Sequence, residues 1–397
     1  TITAALAGLG HHVEVVTAFP NYPDGELPPG WRQRWSHTES VDEVIVHRTP
    51  VYVSHDHRAS RRMVNYISFA LSATISSVRR LRGVDVVWVH GTPVLPALPA
   101  LVLRHVFRIP FVLHVQDLWP DTVFASGMLP KSAERVIRTP LNLFCRMAYA
   151  SASTVGVIAP GMRQVLRERG VPEDKIADIP NWADESIFRP TDDSARGELG
   201  LSDGFVSMYA GALGDVQGLE TLVQAAARLS HRDDIQVAVV GDGVSRQRLE
   251  ELAKRLGARN IVFLGPRPLS EMTRVLASAD LQVICLKDLP LYQITLPSKV
   301  QAILAAACPV VVSAGGDAGA VVEEAGAGLA VPPGDPDALA TAIQTMADMG
   351  AEKRCRMGAA GRAHYETHFS EASGVSRMVD AMSRAVARTP RRRKASG

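Results

Sequence analysis

The sequence predicts an α/β protein built from two doubly wound domains, and three observations carry that reading. Short β-branched runs alternate with helical stretches, the rhythm of parallel strands joined by crossover helices. A polar, turn-rich segment, PNWADESIFRPTDD at Pro180–Asp193, separates two such series. The chain has 397 residues, more than a single core usually takes.

The first series opens on TITAALAGLG, which reads as the tail of an amphipathic helix with Gly8 and Gly10 at its C-cap. An α/β domain that opens partway through a helix is expected to lack its central first strand and the glycine-rich turn after it. Strands follow at Val13–Thr17, Val44–Arg48, Val84–His90, Phe111–Gln116, Thr154–Ile158 and Ile176–Ile179. Between them lie helices at Ala59–Arg82, Pro96–Phe107, Leu141–Ser151 and Gly161–Arg169.

The second series has strands at Phe205–Tyr209, Ile235–Val240, Ile261–Leu264, Leu281–Cys285, Val310–Ser313 and Gly328–Val331. Its helices are expected at Leu219–Leu229, Ser245–Leu256, Ser270–Ala277, Val300–Ala307, Asp337–Met349, Glu352–Phe369 and Ser373–Ala387. The expected division is 1–185 and 186–370 for the two Rossmann-like domains. A helix at 371–388 would pack back across the cleft, and 389–397, with Arg391, Arg392, Arg393 and Lys394, would form a disordered basic tail. In such a pair the ligand belongs in the cleft at the carboxyl ends of both sheets.

Composition narrows the function classes. Lys and Arg total 43 against 41 Asp and Glu, so there is no electrostatic case for nucleic acid. Cys145, Cys285, Cys308 and Cys355 are far apart in predicted helices and strands, as buried thiols of a reducing compartment would be, and no zinc spacing exists. The longest apolar run, Val94–Val102, holds two prolines and is too short to span a bilayer. A cytoplasmic location is the default expectation.

The most informative stretch is YQITLPSKVQAILAAACPVVVS, from Tyr292 to Ser313. Ser298 and Lys299 enter a helix at its first turn, where unpaired N–H groups and the positive end of the helix dipole favour an anion. The turn AGALGDVQGLETL after Phe205–Tyr209 places Gly211, Gly214 and Gly218 where a strand becomes a helix. Gly241-Asp242-Gly243 follows the next strand. Together these features predict a phosphate-bearing ligand, although each alone reads equally well as a tight turn.

In the first domain, FVLHVQDLWPD carries His114, Gln116 and Asp117 at the end of a buried strand, followed by Trp119. A carboxylate there serves as acid, base or hydroxyl ligand, or alternatively as an N-cap. His90 ends the neighbouring strand and could reach the same place, or be a satisfied structural histidine. His55-Asp56-His57 reads as a solvated loop. Asp335-Pro336-Asp337 reads as a helix cap, so no metal is expected. Arg58, Arg61, Arg62, Arg79, Arg80 and Arg82 bracket the apolar stretch Ile67–Ile75, and with Trp31, Arg32, Arg34 and Trp35 they suggest contact with anionic headgroups. Their placement at both ends of the helix argues instead for a helix buried on one side with solvated charged ends.

The sum of these motifs resembles the family 4 glycosyltransferases of GT-B fold. Within them it is similar to the amino-sugar (fucosamine-type) transferases of capsule and O-antigen synthesis. FPNYP at Phe19–Pro23, QDLWPD at Gln116–Asp121, IPNWAD at Ile179–Asp184, YAGALGDVQGLETL at Tyr209–Leu222, Gly241–Gly243, VFLG at Val262–Gly265, LPSK at Leu296–Lys299 and AGAGLAVPPGD at Ala325–Asp335 carry the resemblance, in order, from about Val13 to Phe369.

The resemblance implies a retaining, metal-independent transfer from a nucleotide-diphosphate sugar, UDP-linked in the first instance, to a lipid-linked or membrane-proximal acceptor. No cofactor is implied beyond the donor. Lys299 and Asp117 would be catalytic. Gly211, Gly214, Gln217, Gly241, Asp242, Gly243, Arg267 and Ser298 would join Lys299 around the donor, and His90, Gln116 and Trp119 would lie on the acceptor side. Family members carry an Arg and a Lys where Ala212 and Gln217 stand, a ribose-binding glutamate at Ala302, and a glycine at Ala307. These departures keep open an inactive or truncated nucleotide-sugar-binding homologue. A GT-B epimerase would need a carboxylate pair, of which only Asp117 is visible.

Overall fold

A computed structural model describes residues 2–21, 25–35, 37–53, 59–125 and 131–389. Tyr22 and Pro23 of FPNYP, the His55–His57 loop with Arg58, and the basic residues Arg391–Lys394 lie outside the described residues. The chain divides into two compact units. One comprises Thr1–Ile158, Met162–Ile179 and Val375–Gly397, the other Ala159–Gly161 and Pro180–Gly374.

The first unit holds β1 (Glu14–Ala18), β2 (His37–Val41), β3 (Val44–Thr49), β4 (Val87–Gly91), β5 (Phe111–Val115), β6 (Thr154–Val157) and β7 (Ile176–Asp178). In place of the single parallel sheet expected, these strands form two sheets. One is parallel throughout in the order β4-β5-β6-β7; the other has the order β1-β3-β2, with β2 antiparallel to β3. The β2–β3 hairpin turns on Asp42 and Glu43, both at positive φ (47° and 67°), the geometry that tight hairpins demand. Strand β2, HTESV, escapes sequence reading because it is polar and mostly exposed, so no apolar alternation marks it. Strand β5 is buried at every position, which explains its unbroken apolar run before His114.

Two further expectations need correction here. The helix expected from Leu141 runs from Lys131 to Ser151 with Pro140 inside it. Pro140 is exposed, so the bond it removes lies on the solvent side, where water can serve the freed carbonyl. Cys145, Cys285 and Cys308 are buried, whereas Cys355 is exposed on the outer side of the helix Ala351–His368.

The second unit is a six-stranded parallel sheet of β8 (Phe205–Ala210), β9 (Ile235–Val240), β10 (Ile261–Gly265), β11 (Leu281–Cys285), β12 (Val310–Ser313) and β13 (Gly328–Val331), in the order β10-β9-β8-β11-β12-β13. The chain leaves β8 toward one edge and returns at β11 to build toward the other. The switch point is therefore the β8/β11 pair, where the loops beyond the carboxyl ends diverge. Leu222, Val237, Leu249, Leu281 and Ile343 form the centre of its core on one face. Each such side chain contributes about 1.5–3 kcal/mol by leaving water.

Trp182 packs against Gly374, where a Cβ would strike the indole ring. Glu185 accepts the backbone N–H of Glu371 at 2.8 Å, capping the helix Glu371–Ala387 from a distant segment. Among the described residues no helix is long and apolar enough to cross a membrane.

Candidate active site

In the second unit, the turn after β8 and the helix entry after β11 meet at the switch point. The eight-residue helix Ser298–Ala305 begins after Pro297, which as N-cap residue has no side-chain acceptor to give the first-turn N–H groups. Lys299 bends from that turn across β8. Its Nζ donates to the Tyr209 hydroxyl and sits over the Tyr209 ring, 3.8 Å from the centroid. The Tyr209 hydroxyl in turn donates to the Ala212 carbonyl at 2.7 Å, so its proton is committed and its lone pairs face the lysine.

Gly211, at φ 143°, lies directly under the amine; a Cβ there would come within 2.6 Å of Nζ. Burial brings the Lys299 ammonium down to about 8. A cation deprived of water and, among the described residues, lacking a carboxylate partner gains strongly from an arriving anion.

The glycine turns are stitched together by backbone. Gly211 N–H donates to Val240 O, Leu213 N–H to Asp242 O, and Ser245 N–H to Leu213 O, all at 2.8–2.9 Å. At Gly241 (φ 136°) a Cβ would collide with the Gly211 carbonyl, and at Gly243 (φ 157°) it would lie 2.5 Å from the Leu213 carbonyl oxygen. Both glycines are thus required by close backbone approach. Gly214 and Gln217 are bonded to each other: the Gln217 Oε1 accepts the Gly214 N–H at 3.1 Å, which shapes the turn. The Asp242 carboxylate caps Gly243 N–H at 2.8 Å, and Arg267 is exposed just beyond β10. Ser298 is exposed beside Lys299, and Ala302 is half-buried on the same helix. Gln301 is buried, with its Oε1 unpartnered, and faces away from solvent.

Two features of this unit escaped sequence reading. Tyr209 looks like ordinary core in FVSMYA, and only its juxtaposition with Lys299 gives it a role. The pair Gly315-Gly316 after β12 leads into a helix, Asp317–Glu324, adding another strand-to-helix turn at the same edge. Its signal was present as AGGDAGA directly after Val310–Ser313.

In the first unit, β4 and β5 set His90 beside His114 in register, with ring centroids 6.2 Å apart. His114 is buried and fully engaged. Its Nε2 pairs with the Ile179 carbonyl at 2.7 Å, and its Nδ1 with Gln116 Nε2 at 3.0 Å. The carbonyl requires an N–H at Nε2, so Nδ1 accepts from the Gln116 amide. Burial pushes the His114 pKa down to about 4, which keeps that neutral tautomer.

Asp117 is half-buried. Burial raises its pKa, against the lowering effects of a hydrogen bond from Thr92 and the nearby His90. His90 is lowered by desolvation, which Asp117 opposes. Trp119, expected on the acceptor side, is buried instead, with its ring edge-on to Tyr66 at 6.0 Å. Its carbonyl accepts from Arg169 at 2.8 Å, so this residue braces the turn after Asp117. Asp335 is the helix cap expected, accepting from Asp337 and Ala338 N–H.

Two family models match the chain. A glycosyl transferase 4-like domain matches residues 1–182, and the model of glycosyl transferases group 1 matches residues 204–349. The chain belongs to the family 4 glycosyltransferases. The transferase is 28% identical over 316 residues to WcaI of Escherichia coli, named for colanic acid biosynthesis; the match covers 78% of this chain and 77% of WcaI. Its fold is similar to that of sucrose-phosphate synthase from Thermosynechococcus elongatus, with a TM-score of 0.74 at 22% identity, covering 98% of this chain and 92% of that one. It is also similar to HepE of Anabaena, solved in complex with UDP, with a TM-score of 0.66 at 18% identity, covering 81% and 84%. The glycosyltransferase fold is GT-B, with a Rossmann-like α/β arrangement in each unit.

Proposed function

We propose that this glycosyltransferase moves a hexosyl or amino sugar, of which the fucosamine type is one, from a UDP-linked donor to a hydroxyl of a lipid-linked glycan acceptor. The transfer is retaining and needs neither metal nor further cofactor. The setting is surface polysaccharide synthesis at the inner face of the cell membrane, of which the likeness to WcaI supports polysaccharide synthesis. The UDP donor draws support from HepE.

The observation that carries the reading is the seat of Lys299, a desolvated cation at a helix entry, over a glycine turn and at the switch point of a parallel sheet. When the bond between the anomeric carbon and the diphosphate oxygen breaks, negative charge collects on the leaving phosphate. The Lys299 ammonium and the N–H groups at Ser298 and Lys299 would stabilise it there. Gly211, Gly241 and Gly243 would admit the diphosphate close to backbone. Gly214 and Gln217 would hold the turn in shape, and Asp242 and Arg267 would lie toward the nucleoside. Asp117 would receive the acceptor hydroxyl or steady the reacting sugar, with His90 and Gln116 beside it and Trp119 supporting the turn.

Calorimetry with UDP and GDP tests the reading. The parent chain is expected to bind UDP, and Lys299→Ala to weaken binding about a hundredfold, near 3 kcal/mol, with unchanged circular dichroism. Failure of the folded parent chain to bind either nucleotide would sink it.

A further inference from the structure

We propose that the outward face of three helices in the first unit, Ala59–Arg80, Ala97–Phe107 and Lys131–Ser151, is a docking surface for an anionic lipid bilayer. A helix on a globular domain ordinarily turns its aliphatic side chains inward and its charges outward. The helix Ala59–Arg80 does otherwise. Val64, Ile67, Leu71 and Ile75 are each 44–54% exposed. Their spacing of three or four residues makes one stripe, about 16 Å long at the helical rise. The stripe lies on the open side of a helix expected to be buried on one side with solvated charged ends.

The same stripe ends in cations. Arg61 stands one turn before Val64, and Arg79 one turn after Ile75, both exposed on that face. The helix contains no acidic residue. Lys131–Ser151 repeats the pattern: Val136, Leu143 and Met147 are 74%, 60% and 47% exposed along one side, flanked by the exposed Arg135 and Arg146. The helix Ala97–Phe107 packs against both of the others and exposes Val106. Single exposed aliphatics are ordinary, but a stripe on each of two helices joined by a third is not.

Charge decides the occupant. The three helices carry nine basic residues and one acidic residue, Glu134. From 59 to 151 the sequence has eleven Lys and Arg against four Asp and Glu, a net +7, whereas the rest of the chain has 32 against 37, a net −5. A second copy of the chain would set like charges against one another. A bilayer with anionic headgroups matches both properties, taking the aliphatic stripe at the headgroup boundary and pairing with arginines whose stems lie along it. Vesicle binding needs no nucleotide, so this surface stands or falls apart from the reading of the donor site.

Flotation of the whole chain with vesicles tests it, using phosphatidylcholine alone and phosphatidylcholine with about one third phosphatidylglycerol, at low and high salt. Binding to the anionic vesicles is expected to exceed that to the neutral ones at least tenfold and to weaken with salt. The double variant Ile67→Glu, Leu71→Glu is expected to lose at least tenfold in binding while its circular dichroism and UDP affinity match the parent. Arg61→Ala with Arg79→Ala, which leaves the aliphatic stripe in place, is expected to weaken binding and flatten its salt dependence. Absence of binding to anionic vesicles, or equal binding by the folded glutamate variant, overturns the proposal. So does a dimer in sedimentation velocity that the glutamate substitutions dissolve.

Discussion

The two units hold their polar groups by different means. In the first unit side chains form the network: the Ile179 carbonyl fixes the His114 ring, His114 fixes Gln116, and Thr92 bonds Asp117. In the second unit backbone holds backbone. Gly211, Leu213 and Ser245 are bonded to neighbouring turns through main-chain groups, and one lysine projects over them. A side-chain network sets the protonation and direction of a reactive group, whereas a backbone cradle sets shape and leaves charge to a single residue. On the proposed reading the first unit would carry chemistry that substitution can remove without disturbing donor affinity, and in the second binding and charge would coincide in Lys299.

The largest effect that separates them is expected at Asp117. Asp117→Asn keeps the Thr92 contact within reach but removes the carboxylate, so turnover should fall about a hundredfold or more while UDP affinity stays within about twofold. Lys299→Ala should do the reverse, losing affinity first. Steady-state kinetics beside calorimetry reads both. An Asp117→Asn enzyme with parental turnover would remove the first unit from the chemistry.

A smaller effect sharpens the account of Lys299. Its pKa is about 8 in the nucleotide-free chain, below the ordinary lysine value, because burial disfavours the ammonium. A bound diphosphate favours the ammonium, so above about pH 8 binding must take up a proton. UDP affinity should be flat from about pH 7 to about pH 8 and then fall by up to tenfold per unit. The free chain responds in the opposite sense. Its folded state binds fewer protons than the unfolded state between about pH 8 and the ordinary lysine pKa, so this group's contribution to stability rises with pH across that window. Calorimetry across pH should show the decline in the parent and none in Lys299→Ala; a decline shared by both would assign it to another group.

Much of this was legible in the residues because its causes are local. Ile235–Val240, Leu281–Cys285, Val310–Ser313 and Gly328–Val331 are β-branched or apolar runs bounded by turns, and they are strands to the residue. LPSK declared a helix entry with a cation because capping and dipole act within one turn. Strand β2 has no apolar face to announce it, and Asp317–Glu324 is masked by its alanines and glycine. Tyr209 and Lys299 are 90 residues apart, and no local pattern records that they touch. The bond between Gly214 and Gln217 is likewise invisible in one dimension.

The smallest effect isolates fold from site inside the second unit. Ala307, where the family has glycine, ends the turn after the Ser298–Ala305 helix at φ 56°, a conformation in which a Cβ crowds the following carbonyl. Its own carbonyl is covered by Gly358, where a Cβ would collide with it, so the turn cannot relax outward. Relief of the left-handed strain outweighs the extra freedom that glycine gives the unfolded chain. Ala307→Gly should therefore stabilise the unit by about 0.5–1 kcal/mol, read as a higher urea midpoint at unchanged slope. UDP affinity should not move, because the substitution lies at the far end of the helix from Lys299. A gain in affinity together with stability would mean that the helix entry is not preset by the backbone cradle, and the contrast drawn between the two units would fail at that point.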